Sequence, residues 1–332
     1  MKRILITGAS GFVGSNLVYA LVREKYQVIL LLRDSSMNSF PDEIPCLKAY
    51  GSIENISLLK ELVKGTDTVF HAAAYISFKK SDFEKAYQIN VIGTRNILEA
   101  CFKAGVNKVV HLSACAVLGY SLDKDAVLDE TSSHEIGKDN VYAYTKKLAE
   151  EEVQRYIQKG LNASIANIAT IYGQGDRKLN SGSIIASIYK GKMRFVPPGG
   201  TSYVSIDDLI EGLLLLARKG KSGERYIFCT ENMNYSMLAQ RIAKTLKLKE
   251  PKLILPCFSY YPALLAMKGI ESFSSFARKR IDLMTTQLLK ESYRYKYFSS
   301  KKAKEELGWK PLQSLEEAVE KALIYYKENA LI

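Results

Sequence analysis

Tyr142 and Lys146 stand four residues apart in YAYTKKLAEEEVQRYIQKG, a stretch of helical patterning, so both side chains project from one helix face. An ammonium beside a phenol favours the phenolate and should draw the tyrosine pKa down toward neutral pH. A tyrosine so placed can give a proton to a carbonyl oxygen, or take one from an alcohol. The spacing alone carries little weight in a chain with 21 tyrosines. Its position at the start of a helix, downstream of the apolar run KVVHLS (108–113), gives it more. The neighbouring Tyr144 has Leu148 rather than lysine four residues on.

The second constellation is TGASGFVG (7–14), which joins an apolar run directly to a helical pattern. Gly8 permits a tight turn, Gly11 lets backbone approach a pyrophosphate, and Gly14 lets helix and strand pack closely. With Ser10, Phe12 and Val13 they form a turn whose unpaired N–H groups and helix dipole suit phosphates. A dinucleotide is the ligand this turn predicts. The next apolar run ends in Arg33, followed by Asp34 and Ser35. A guanidinium there matches a ribose 2′-phosphate through paired charge-assisted hydrogen bonds, whereas a carboxylate would repel it. Arg33 therefore favours NADP(H), with NAD(H) the alternative that Asp34 keeps open.

These groups need a scaffold, and the chain supplies a regular one. The runs RILIT (3–7), QVILLLR (27–33), DTVFHAA (67–73), KVVHLS and NASIANI (162–168) read as strands. Helical patterns separate them, including SNLVYALVREK (15–25) and DFEKAYQINVIGTRNILEACFKAG (82–105), the latter ending at a glycine. Apolar runs alternating with helices predict an α/β fold with a doubly wound parallel sheet, the Rossmann fold. Residues 1–175, the sixth strand at 162–168 included, are expected to form this dinucleotide-binding domain. Residues 176–332 would form a smaller α+β substrate lobe, with some segments returning to the first domain.

Composition narrows the classes. The 332 residues carry a net charge of +12, and five scattered cysteines without a CxxC pair give neither a disulfide framework nor a zinc site. No metal is expected. MKRILITG shows no secretory signal pattern, and LILPCFSYYPALLAM (253–267) is too short and proline-broken to span a bilayer, so a cytoplasmic protein is expected. Between Lys268 and Lys304 ten Lys/Arg face three Asp/Glu. That excess suits a solvated helical face, an anionic ligand or a membrane face. Without zinc-finger, recognition-helix or stacking-aromatic patterns it does not suggest nucleic acid.

TGASGFVG, HAAA (71–74), INVIGTRN (89–96) and YAYTK (142–146), in this order and spacing, resemble the extended short-chain dehydrogenase/reductase superfamily. LLRDSS, NIATIYGQGD (167–176), SYVSIDD (202–208), SGERYIFCTEN (222–232) and FSSKKAKEELGW (298–309) are similar to its branch of dihydroflavonol-reductase-like and 3β-hydroxysteroid-dehydrogenase-like enzymes. The resemblance implies Tyr142 as general acid/base and Lys146 on the nicotinamide ribose. It also implies Ser52 and Ile53 beside the adenine, Ala72, Ala73 and Ala74 along the cofactor, and Asn90 as a structural asparagine. Relatives carry a catalytic hydroxyl five residues before the glycine matching Gly119, and this chain has Ala114 there. Ser113 is the nearest hydroxyl. Successive strand residues point to opposite sides, so Ser113 or Cys115 would need a bulge or turn to take over.

The expected activity is an NADP(H)-dependent oxidoreductase that transfers hydride between nicotinamide and a carbonyl or hydroxyl carbon of a small or medium-sized substrate. One alternative is an NAD-dependent sugar-nucleotide epimerase or dehydratase. Relatives of that kind place an arginine where Thr201 and Ser202 stand, with Arg194 a few residues earlier as a substitute. The other alternative is a catalytically weak dinucleotide sensor or scaffold. A homodimer through the helices at 82–105 and 142–159 is what the resemblance implies. An apolar and basic surface over 253–304 resting on a membrane is a further reading.

Overall fold

The computed structural model describes residues 2–33, 40, 43–251, 253–276 and 286–332. Asp34 and Ser35, which bear on the cofactor reading, lie outside them, as do residues 277–285 of the basic segment. Among the described residues seven strands make one parallel sheet. They are β1 (Arg3–Thr7), β2 (Gln27–Leu32), β3 (Cys46–Tyr50), β4 (Thr68–His71), β5 (Lys108–Ala114), β6 (Ala163–Ile168) and, from later in the chain, β10 (Arg225–Phe228). Their order is β10-β6-β5-β4-β1-β2-β3, the doubly wound order expected from the alternation of runs.

Both faces of the sheet are covered, which is why its strands read as near-continuous apolar runs. On one face Ile4, Ile6, Leu30 and Phe70 meet α1 (Phe12–Arg23) and α7 (Ile206–Lys219) through Leu17, Leu21, Leu209 and Leu213. On the other, Leu5, Ile29, Val69 and Val109 meet α2 (Ile56–Val63), α4 (Gly93–Ala104) and α5 (Val141–Gln158) through Leu59, Ile97, Leu98 and Val153. Neighbouring residues of β1 thus serve opposite cores, as pleating requires. Both β10 and α7 come from beyond residue 175 and complete this layered unit.

The helix expected over 82–105 is present, but in three pieces. α3 (Phe83–Tyr87) runs through a π-helical turn at Gln88–Ile92 into α4, which ends at Gly105 with φ +66°. A second sheet has the order β11 (Glu231–Asn234), β9 (Gly200–Ser205), β13 (Tyr295–Lys296), and β7 (Thr170–Tyr172) also pairs with β9. The two-residue strands β8 (Phe195–Val196) and β12 (Leu253–Ile254) pair with each other. A separate core joins α6 (Ser183–Tyr189), α8 (Tyr235–Thr245) and α11 (Leu315–Glu328) through Ile185, Ile188, Leu238, Ile242, Val319 and Tyr326. Ser314 and Glu317 form the capping box that starts α11, and fully buried Trp309 donates through Nε1 to the Asp208 carbonyl at 2.8 Å. The chain end is thereby fastened to the start of α7.

Candidate functional site

The glycine turn is built by contact. Gly8 adopts φ +70°, and a Cβ there would lie 2.6 Å from the Ala72 carbonyl carbon and the Ala73 nitrogen. A Cβ on Gly14 would lie 2.2 Å from the Gly8 oxygen. Only glycine fits either place. The turn and the segment Ala72–Ala73 are therefore pressed together at the carboxyl ends of β1 and β4. Thr7 fastens them, since its Oγ1 accepts from the Ala73 N–H at 3.3 Å and bonds His71 Nδ1 at 2.7 Å.

The helix that starts here is left open for a ligand. Asn55, Asn140, Ser205, Asn234 and Ser314 each cap a helix with a side-chain oxygen. α1 starts at Gly11 with no side-chain cap and no acidic residue in its first turn. Its first N–H groups, from Phe12 and Val13, and its positive dipole end suit a pyrophosphate. A cradle that any Cβ would fill, ending in an uncapped twelve-residue helix, fits a dinucleotide. Arg33 is exposed just past the tip of β2, Ser52 bonds Glu54, and Ile53 is buried against Gly93.

The π turn aims Asn90 back toward β4. Its Oδ1 accepts from the Tyr75 N–H at 2.7 Å, and its Nδ2 donates to the Tyr75 carbonyl and to Thr145 Oγ1 at 3.0 and 2.9 Å. Asn90 thus ties the segment after β4 to α5 at the residue before Lys146. Such π turns recur where a helix must place a functional group.

Asn140 caps α5 and sets Tyr142 in its first turn, half-buried, with the Phe78 ring 6.1 Å away edge to face. One turn on, Lys146 is 3% exposed and donates from Nζ to the Leu112 carbonyl at 2.6 Å. The expected lowering of the phenol does not occur here. Burial, seconded by the nearby Cys115, pushes Tyr142 up to about 12. Burial also pulls Lys146 down to about 8, against the opposing pull of Glu150. Desolvation penalises the charged form of both groups and is the largest cause of each shift. Tyr142 therefore holds its proton through neutral pH.

Nor is there a bulge at the end of β5. Its pairing with β6 runs unbroken through Ser113↔Asn167 and Ala114↔Ile168. Ser113 is 4% exposed, and its Oγ is buried without a hydrogen-bond partner, while Ala114 stays extended on the opposite side. Cys115 does not turn toward solvent: its Sγ meets the Asn167 carbonyl at 3.4 Å, and burial raises its thiol well above the usual range.

Sequence reading missed the support behind the lysine. Glu150, 1% exposed, accepts from Arg225 Nε at 2.9 Å and from Asn167 Nδ2 at 2.8 Å. Asn167 also donates to the Ala114 carbonyl at 3.3 Å. The signal was available, because Tyr142, Lys146 and Glu150 recur at four-residue intervals along a helix that packs on the sheet. His71 and His111 lie side by side, rings 5.4 Å apart, and burial holds His71 near 3 and His111 well below its ordinary value. Both rings are neutral neighbours of Lys146. Among the described residues no group of His, Cys, Asp and Glu is arranged to hold a metal ion.

This architecture is that of a dinucleotide-dependent enzyme, and comparison with known proteins gives the family. Residues 4–229 match the NAD dependent epimerase/dehydratase family, to which the chain belongs. It is 29% identical to sterol demethylase protein B of Methylococcus capsulatus, over 99% of each chain. It is also 29% identical to a putative dihydroflavonol 4-reductase of Synechocystis, over 98% of this chain and 95% of that one. The crystal structure of gox2253, 32% identical, superimposes with a TM-score of 0.85 over 99% of each chain. The protein is an NAD(P)-dependent enzyme of the extended short-chain dehydrogenase/reductase type.

Proposed function

We propose that this enzyme is an NADP(H)-dependent reductase or dehydrogenase that moves hydride between nicotinamide and a carbonyl or hydroxyl carbon of an apolar, small or medium-sized molecule. The observation that carries the proposal is the pair on α5: a proton-bearing, half-buried Tyr142 in its first turn and a buried Lys146 bonded to the end of β5. The bound dinucleotide supplies the hydride. Gly8, Ser10, Gly11, Phe12, Val13 and Gly14 would hold its pyrophosphate, and Arg33 a 2′-phosphate. Ser52 and Ile53 would meet the adenine, and Ala72, Ala73 and Ala74 would flank the chain of the cofactor. Asn90 keeps that segment in place. Lys146 would hold the nicotinamide ribose.

As negative charge develops on the substrate oxygen, Tyr142 gives it the phenolic proton. In the alcohol-oxidising direction the phenolate must accept one. A buried hydroxyl without a partner is unusual in a folded protein. Ser113 lies in register with Asn167, whose side chain reaches Glu150 on α5, so its unpartnered Oγ is on the α5 side of the sheet without the bulge expected from sequence. We assign it the second hydrogen bond to the substrate oxygen. The similarity to proteins named for a sterol and a dihydroflavonol supports an apolar ring system as substrate. The sugar-nucleotide alternative has less to rest on. Thr201 and Ser202 are buried and spend their hydroxyls on Thr170, Asn232 and Lys296, and Arg194 is exposed beside β8.

A screen of apolar ketones and secondary alcohols, following NADPH oxidation or NADP+ reduction, tests the reading. Turnover of a ketone is expected. Purification with tightly held NAD, and interconversion of sugar nucleotides without net redox change, would overturn it.

A further inference from the structure

The helix α9 (Tyr260–Phe276) turns large apolar side chains of its first turns to solvent. A surface helix normally turns charged and polar residues to water and keeps its apolar stripe inward. Here Phe258, at the turn leading into the helix, is 82% exposed, Tyr261 is 72% and Leu265 is 71%. The spacing of three and four residues puts them on one stripe, which continues to exposed Lys268. The opposite side is what anchors the helix: Tyr260 packs edge to face on Tyr293 at 5.3 Å, and Ser259 Oγ bonds the Tyr293 hydroxyl at 2.7 Å. The stripe is therefore presented outward by a fixed base.

The apolar surface extends along the chain. Phe195 and Leu253 are register partners in the β8–β12 pair and are about half exposed, at 53% and 54%, as is Ile254 at 49%. Exposed apolar side chains gathered over a paired strand and the helix that follows it are a mark of an interaction face. Its border is cationic. Lys190, Lys192 and Arg194 precede Phe195 and are exposed, and the segment 189–196 contains no acid. Lys247 and Lys249 are exposed before β12, with Glu250 the one acid between 247 and 269.

We propose that this face, formed by β8, β12 and the start of α9, docks on the surface of an anionic lipid bilayer. Phe258, Tyr261 and Leu265 enter the headgroup–acyl boundary while Lys190, Lys192, Arg194 and Lys268 meet the lipid phosphates. Aromatic and leucine side chains on one face with lysines at its border is the pattern of helices that lie in that boundary. Charge complementarity selects an anionic lipid over a second copy of this chain, whose same face would bring cations against cations. The docking is peripheral, since no helix among the described residues is long and apolar enough to cross a membrane. The inference stands apart from the reaction assigned above.

Flotation of the full chain with phosphatidylcholine vesicles, with and without phosphatidylglycerol, tests it. Binding is expected to the vesicles containing phosphatidylglycerol and should weaken as salt is raised. The triple variant Phe258→Ser, Tyr261→Ser, Leu265→Ser should lower the partition constant by at least about tenfold, with thermal unfolding confirming the fold. The double variant Lys192→Glu, Arg194→Glu keeps the apolar stripe and should abolish the preference for anionic vesicles, which decides the matter even if the triple variant does not fold. Absence of vesicle binding by the parent, or binding that both variants retain, overturns the proposal. So does self-association of the parent in sedimentation velocity that the triple variant loses while neither binds vesicles.

Discussion

Lys146 donates a hydrogen bond from its ammonium to the Leu112 carbonyl at 2.6 Å, which fastens the α5 lysine to the end of β5. The neighbouring tyrosine keeps its proton because burial, seconded by Cys115, penalises the phenolate. This arrangement makes the pair separable by experiment.

Tyr142→Phe removes the proton donor and little else. kcat for ketone reduction should fall about 10²–10⁴-fold. Cofactor affinity, measured by fluorescence titration, should change less than about twofold, because the pyrophosphate cradle lies on α1. Turnover equal to the parent would refute the role given to Tyr142.

Lys146 makes a prediction about stability and pH. Its folded pKa of about 8 lies below its ordinary 10.5, so between these values the unfolded chain binds more protons and stability rises with pH. Below pH 8 the buried ammonium is a cost of order 3 kcal/mol. Lys146→Met should therefore be more stable than the parent at pH 7, with the advantage shrinking as pH rises through 8 toward 10.5. Denaturant unfolding across this range reads it directly, and the same variant should lose activity.

Glu150→Gln removes the one carboxylate that holds the lysine up. The pH at which the folded enzyme loses the Lys146 proton, read from the pH dependence of stability, should move lower, because Glu150 raises that pKa. Losing the bond to Arg225 should cost about 1–3 kcal/mol, since the guanidinium can still reach water. A fixed pH profile would mean that Glu150 serves structure alone.

Arg33→Ala should weaken NADPH by at least about tenfold and leave NADH nearly unaffected, the loss of a charge-assisted bidentate contact with a phosphate. Competitive binding of the two nucleotides to parent and variant measures it. A parent that prefers NADH would refute the assignment.

The end of β5 is tested by two substitutions. Ser113→Ala should lower kcat about 10²-fold, as removal of one donor to a developing oxyanion does. Unchanged turnover would leave the substrate oxygen to Tyr142 and water. Ala114→Ser restores the hydroxyl usual in relatives on the opposite side of the strand from Ser113, so it should not rescue Ser113→Ala, and rescue would refute the assignment to Ser113.

By itself the sequence determined what depends on local spacing. Gly8, Gly11 and Gly14 announced a tight turn because the steric demands of this strand–turn–helix junction leave no other residue type at two of the three. The alternation of apolar runs and helices set the parallel sheet, since strands covered on both faces must be apolar throughout. The interval of four between Tyr142 and Lys146 put them on one face of α5. Tertiary structure decided the rest. The return of β10 and α7 to the first sheet involves partners far along the chain, with no local mark. Whether the phenol would be lowered depended on burial and on the nearby Cys115, neither of which spacing records. The support of Glu150 by Arg225 and Asn167 joins three elements across the sheet. An apolar and basic surface over 253–304 is one reading of the sequence, but spacing does not say which side chains of Phe258, Tyr261 and Leu265 reach water. Only the packing of Tyr260 on Tyr293 reveals which side faces water.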